Sequence, residues 1–145
     1  MIIDKIVRET NKYLAGEQLT YRQLEPFLNA TIDDINYALN SEFPSFSDLS
    51  DEPGFTGATD YDYFPDKYIR TIVIIGAAYK FYIMDEEGIQ TAEKYGYDYE
   101  KGLFAMQRDY IDQVPIEYQS DSTGSLEIDL DELREATPFN FRAFF

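Results

Sequence analysis

Residues 68–84 are apolar on nearly every side: Ile69, Ile72, Val73, Ile74, Ile75, Gly76, Ala77, Ala78, Tyr79, Phe81, Tyr82 and Ile83 leave almost no face for water. Pro65 suits the first turn of a helix, and Asp66 beside it complements a helix N-terminus. The stretch therefore predicts a helix that lies at the centre of its domain or between neighbours. Gly76, Ala77 and Ala78 allow a second backbone to approach closely. Asp85-Glu86-Glu87-Gly88 ends the run. A short buried strand over residues 72–75 is the alternative, and the Ala pair and the length of the segment favour helix.

A helix of this kind needs partners, and the flanking sequence supplies them. Ile2, Ile3, Ile6 and Val7 recur at helical spacing until Gly16, with Tyr13 or Leu14 extending the stripe. Thr20 can cap a second helix carrying Tyr21, Leu24, Phe27 and Leu28 on one face. Thr31-Ile32-Asp33-Asp34 looks like another cap, followed by Ile35, Ala38 and Leu39. Either one helix kinked at Pro26 spans residues 21–40, or two short ones meet near Asn29. The last helix, residues 91–113, carries Ala92, Tyr95, Tyr99, Leu103, Met106 and Tyr110 on its dry side. Lys94, Asp98, Glu100, Lys101, Arg108 and Asp109 fill the wet side. Gly96 and Gly102 inside it each cost about 1 kcal/mol relative to Ala, or mark close contacts. The expected fold is mainly α: a small bundle of four or five helices with a long acidic loop and an extended C-terminal arm. Residues 1–115 form the helical domain and residues 116–145 the linker and arm.

Charge divides along the same lines. The chain of 145 residues has 28 acidic and 12 basic side chains, a formal charge of -16. Residues 1–40 and 67–112 are each net -2, whereas residues 41–66 are net -7 with no base and residues 113–145 are net -5. The periodic regions are thus nearly neutral and the aperiodic ones carry the excess. With 44% hydrophobic and 17% aromatic residues the chain is too apolar for an acidic disordered region. So much negative charge argues against wrapping DNA or binding anionic lipid.

The residue inventory also restricts chemistry. The chain has no Cys and no His, which removes thiol nucleophiles, Cys-based zinc sites and Ser-His-Asp arrangements. Asp4 stands where a secretory signal needs positive charge, and no run of 18 apolar residues suggests a membrane span. Asp60, Asp62 and Asp66, or Asp129, Asp131, Glu132 and Glu135, could gather carboxylates, but on loop or arm sequence these read as solvated charge. Asp48, Asp51 and Glu52 lack the spacing of a helix-loop-helix calcium loop, and the glycines are too isolated for a phosphate-binding loop. Tyr79, Tyr82, Tyr95, Tyr97, Tyr99 and Tyr110 have no basic groove to make them base-stacking groups, so helix packing and interface contact are expected of them. No catalytic residue, metal site or cofactor is expected, and the chain does not read as an enzyme.

Two segments look made for neighbours. Phe46, Phe55, Tyr61, Tyr63 and Phe64 are scattered among the acids of the loop at residues 43–64, and they must pack against either their own domain or a neighbour. Near the end, Leu126, Ile128 and Leu130 alternate with Glu127, Asp129 and Asp131, the period of an extended arm with one apolar face. Phe139, Phe141, Phe144 and Phe145 follow Pro138. A fully buried Phe is worth about 1.5–3 kcal/mol, so this cluster should have a dock on a partner. An arm docking on the next copy makes a heterologous contact that repetition closes into a ring.

Three stretches carry a family resemblance. They are Leu28-Asn29-Ala30-Thr31-Ile32-Asp33-Asp34-Ile35-Asn36 leading into Phe43-Pro44-Ser45-Phe46; Pro65-Asp66-Lys67-Tyr68-Ile69 followed by Ala77-Ala78-Tyr79-Lys80-Phe81; and the tyrosine-rich helix of residues 95–110. In these the chain resembles the head-to-tail adaptor (connector) proteins of tailed bacteriophages. The resemblance implies a helical bundle in a dodecameric ring beneath the portal. It also implies a C-terminal segment docked on the portal protein and a next neck or tail component on the other face. DNA would pass through the lumen as non-specific cargo, and the subunit, made in the host bacterial cytoplasm, would sit in the virion at the head-tail junction. The loop at residues 43–64 is longer than that pattern. The rival expectation is an acidic DNA-mimic or inhibitor-type binding protein, which the charge favours and the near-neutral helices oppose.

Overall fold

A helix without a wet face must be enclosed, and the computed structural model, which describes residues 1–84 and 88–120, shows how. Helix α1 is Ile3–Asn11, α2 is Tyr21–Leu39 and α3 is Phe46–Ser50. Helix α4, residues 66–83, is the apolar rod. Helix α5 is Ile89–Tyr110, followed by single 3-10 turns at Ile111–Gln113 and Ile116–Tyr118. Together they form a small all-helical bundle. The rod packs most extensively against α5, then α2, with α1 closing a further side. Ile69, Ile72, Val73, Ala77 and Ala78 of α4 are fully buried with Leu24, Leu28, Ile32 and Ile35 of α2, and with Ile3 and Ile6 of α1. Each such aliphatic side chain is worth about 1.5–3 kcal/mol.

The rod changes pitch along its length. Asp66–Tyr68 is α-helical, Ile69–Ile74 π-helical and Ile75–Ile83 α-helical again. Residues 72–75 are therefore helical, and the strand alternative does not occur. Five of the six π-helical residues are β-branched. Such side chains crowd the preceding turn of an α-helix, and the widened turns coincide with that run.

Helix α2 is one helix. Its capping box is Thr20 with Gln23: the Gln23 side chain accepts from the Thr20 amide at 2.9 Å, and the Thr20 hydroxyl accepts from the Gln23 amide at 3.4 Å. Pro26 lies on the exposed side and α2 runs through it. Thr31 is not a cap; it is buried, and its hydroxyl donates to the Leu28 carbonyl at 2.6 Å. Asn40 stops the helix in the left-handed conformation, φ 51°.

The stretch at residues 43–64 is more ordered than a loop. Ser45 and Asp48 form a capping box that starts α3, a signal the scattered Pro, Ser and Gly obscured. Phe46 stacks on Tyr61 with centroids 4.4 Å apart, and Phe64 and Tyr63 meet the same Tyr61 ring at 5.6 and 5.0 Å. The far end of the stretch is clipped to the start of the chain. Ile3 donates to the Thr59 carbonyl, Asp4 to that of Gly57, and Tyr61 to that of Met1, each at 2.9 Å. The helical body continues beyond Pro115. Tyr118 packs on Phe43 and Tyr63, the Glu42 amide donates to the Tyr118 carbonyl at 2.7 Å, and the Ser120 amide donates to that of Asn40.

Two helices approach closely by exchanging side chains. A Cβ on Gly76 of α4 would overlap the Tyr99 ring of α5, and a Cβ on Gly96 of α5 would lie 2.7 Å from the Tyr79 ring of α4. A Cβ on Gly102 would lie 3.1 Å from the Ile72 side chain and from the Thr71 carbonyl. At Gly76 it is thus the side chains of Tyr99 and Thr31 that come close, and Ala77 and Ala78 are buried. Gly76→Ala should destabilise the protein by about 1–3 kcal/mol through overpacking, although Ala is the better helix former by about 1 kcal/mol. A lower denaturation midpoint at unchanged m-value would show this; an unchanged or higher midpoint would exclude it.

The Met1 ammonium is buried against Asp60 at 2.7 Å and Asp66 at 3.0 Å and donates to the Tyr61 carbonyl. Burial opposes its charge, but the hydrogen bonds to Asp60 and Asp66 outweigh it and hold the amine above its ordinary value of 8.0. A pKa raised on folding stabilises fully below the unfolded value and is lost as pH rises through the folded one. Thermal stability should fall as pH rises above 8.0 towards that raised value. In Asp60→Asn/Asp66→Asn this alkaline slope should flatten, and an unchanged slope would refute the assignment.

Candidate functional site

The loop aromatics face inward. Phe46, Tyr61 and Phe64 are buried in the chain's own core, so they offer no surface to a neighbour, while Phe55 and Tyr63 are half-buried. Of the two destinations open to them, their own domain is the one adopted, because stacking on each other and on Tyr21 and Phe43 removes more ring surface from water than a mobile loop can. Their acidic neighbours Asp51, Glu52, Asp60, Asp62 and Asp66 are exposed. Leu126, Ile128, Leu130, Phe139, Phe141, Phe144 and Phe145 lie outside the described residues, as do Asp129, Asp131, Glu132 and Glu135.

The structure presents a different apolar surface. Helix α5 buries Ala92, Gly96, Tyr99, Met106 and Tyr110 against the bundle. Its outer side carries Tyr97 and Phe104, 69% and 65% exposed, with exposed Ile89 at its start and Ile111 in the 3-10 turn that follows. The seven-residue step from Tyr97 to Phe104 drifts only about 20° on a helix, so these two share one side, whereas Ile89 is turned about 80° from Tyr97. Ile83 and Met84, at the end of α4, add exposed apolar surface beside it. A groove of about 380 Å³, lined by Tyr79, Ile83, Ile89, Gly96 and Tyr97 with Glu93 and Glu100, runs along this face. The seven-residue spacing was present in the sequence. It was masked by charged residues between the aromatics and by the stronger buried stripe.

A second feature lies on another side of the α4/α5 pair. A cleft of about 640 Å³ has an apolar floor including Tyr68, Ile75 and Ala105, with Lys67, Arg70 and Lys101 at its edges. Asp98 and Asp109 also line it, and Arg108 holds Asp109 at 2.7 and 2.9 Å. This cluster draws on two helices far apart in sequence, which is why no local motif announced it.

The polar groups between helices act as ties. Tyr99 donates to Asp34 of α2 at 2.6 Å, and Lys80 of α4 reaches the same carboxylate oxygen at 2.9 Å, joining α2, α4 and α5. Burial, then the Asp34 carboxylate, push the Tyr99 phenol well above its ordinary 10.0, so it stays a hydrogen-bond donor across the neutral range. Glu25 accepts from Ser47 and Ser50 at 2.8 and 3.1 Å and fastens α3 to α2. Burial works against its charge, but the Ser47, Tyr21 and Ser50 hydroxyls keep it below the usual carboxylate value. A general acid or base works best with a pKa near the operating pH, and both groups are pushed away from it. Among the described residues, no three acidic side chains converge to hold a metal ion and no helix is long and apolar enough to cross a membrane.

No protein-family model, curated protein or solved structure matches this chain.

If the Asp34 tie is structural, Tyr99→Phe should keep the fold and cost about 1 kcal/mol, read from the denaturation midpoint. Asp34→Ala, which frees Lys80 as well, should cost no less; a neutral pair of variants would remove the tie from the account.

Proposed function

We propose that this chain is a structural subunit of a phage neck ring, joining the portal to the next neck or tail component with DNA passing through the lumen. The observation that carries the reading is the exposed side of α5, where Tyr97 and Phe104 stand away from the side fixed in the core, with exposed Ile89 at the start of the helix and Ile111 just beyond its end. Large exposed aromatic side chains edged by charged residues suit an interaction site. The near-neutral helical body suits contact between copies, and the exposed acids of residues 51–66 suit a surface that repels DNA. The resemblance to head-to-tail adaptors points the same way. In this reading the α5 face meets the neighbouring copy, and Phe139, Phe141, Phe144 and Phe145 dock on the portal.

Mixing the full chain with its portal should give a ring complex of defined mass, visible by electron microscopy. Tyr97→Glu/Phe104→Glu should leave the folded monomer intact but abolish ring closure, and deletion of residues 138–145 should weaken portal association. Rings that form equally well with the α5 face charged would overturn the assignment of that face. Competition with DNA for a basic enzyme, without portal binding, would favour the DNA-mimic reading instead.

A further inference from the structure

The cleft between α4 and α5 is unusual for this chain because it gathers cations. Lys67 and Arg70 stand one helical turn apart on α4, and Lys101 faces them from α5. None of the three forms an ion pair among the described residues. Lys67 instead lies over the Tyr68 ring, 4.9 Å from its centroid. The cleft also carries two carboxylates, Asp98 and Asp109, the latter paired with Arg108 and within the field of Lys67, so three cations face two acids. On a chain of charge -16 this is a positive edge around an apolar floor.

One segment of the same chain has the complementary pattern. Leu126-Glu127-Ile128-Asp129-Leu130-Asp131-Glu132 alternates apolar and acidic residues and contains no base. Its tether is short. Ser120 stands two residues beyond Tyr118, whose ring meets Tyr63 at 5.5 Å. Tyr63 precedes Tyr68 in the cleft by five residues, and Tyr68 itself packs on Tyr110 at 5.4 Å. Six residue steps from Ser120 to Leu126 span at most about 20 Å, which sets the reach that this placement requires. A short tether also gives an effective concentration in the millimolar range.

We propose that residues 126–132 lie in the α4/α5 cleft of their own chain, with Leu126, Ile128 and Leu130 on the apolar floor and the alternating carboxylates met by Lys67, Arg70 and Lys101. The long basic side chains can cover the segment while keeping their charges wet. This placement leaves residues 138–145 to reach a partner, and it does not depend on the ring reading: the segment occupies the cleft whatever the body assembles with.

The absence of native cysteine makes a direct test clean. In the full chain, Ala105→Cys/Ile128→Cys should form an intramolecular disulfide on mild oxidation, identified by peptide mass spectrometry at dilute protein. It should form about tenfold or more faster than the pair Gln90→Cys/Ile128→Cys, which shares the tether but not the cleft. Lys67→Glu/Arg70→Glu/Lys101→Glu should remove the advantage. So should about 1 M salt, where the Debye length falls to about 3 Å, and the salt arm needs no further substitution. Equal rates for the two pairs, disulfides only between chains, or an advantage indifferent to both charge reversal and salt would each overturn the proposal. Ring formation on the portal, scored separately, reports on the proposed function alone.

Discussion

Helices α4 and α5 are held together by a reciprocal exchange, and the rest of the bundle is arranged around it. Tyr99 of α5 fills the space that Gly76 leaves on α4, while Tyr79 of α4 fills the space that Gly96 leaves on α5. The two rings lie 5.8 Å apart and tilted. Glycine inside a helix is costly, about 1 kcal/mol against Ala, and here that cost is offset by burying an aromatic ring at each position. The exchange fixes rotation as well as distance. Once Tyr99 points into the bundle, Tyr97 must point out of it, so the exposed face of α5 follows from the contact that anchors the helix. Asp34 and Lys80 then secure the same tyrosine from α2 and α4.

The acidic stretch between α2 and α4 solves a different problem. Its aromatic residues are sequestered under the domain and its carboxylates remain outside, so charge and ring surface are sorted by side rather than by position in the sequence. Glu25 holds one end through two serine hydroxyls, and Met1 holds the other through its backbone and its ammonium. Asp60 and Asp66 therefore have a structural task as counter-ions, in addition to whatever they contribute to the field outside.

Long periodic elements were legible in the sequence, and features that depend on residues distant from each other were not. The rod at residues 68–84 and the α5 stripe were readable because burial on a helix recurs every three to four residues. Gly96 and Gly102 were readable as possible contacts, although not which ring each would meet. The strand alternative at residues 72–75 arose from a real property, the β-branched run, which is accommodated by π-helical turns. Helix α3 was missed because five residues are too short for a period; only the Ser45 and Asp48 pair signalled it. The sequence leaves two destinations open to the loop aromatics because it does not show that Tyr61 and Phe46 face each other. The cation cluster at Lys67, Arg70 and Lys101 was invisible for the same reason.

Area arithmetic bears on how the proposed ring would hold. A stable interface removes about 800 Å² from each partner, and a fully buried aromatic side chain contributes about 150–250 Å². Tyr97, Phe104, Ile89 and Ile111 are only partly exposed, so the α5 face supplies no more than about half of that requirement. Its backbone is a continuous helix, so binding there has to order side chains, at about 0.5–1.5 kcal/mol each, but not the main chain. The remaining area has to come from elsewhere on the chain, and the four phenylalanines after Pro138 are the largest apolar group outside the described residues. In the proposed ring such a subunit would hold weakly through its body alone and firmly only with the arm engaged. Assembly would then be conditional on the partner that receives the arm.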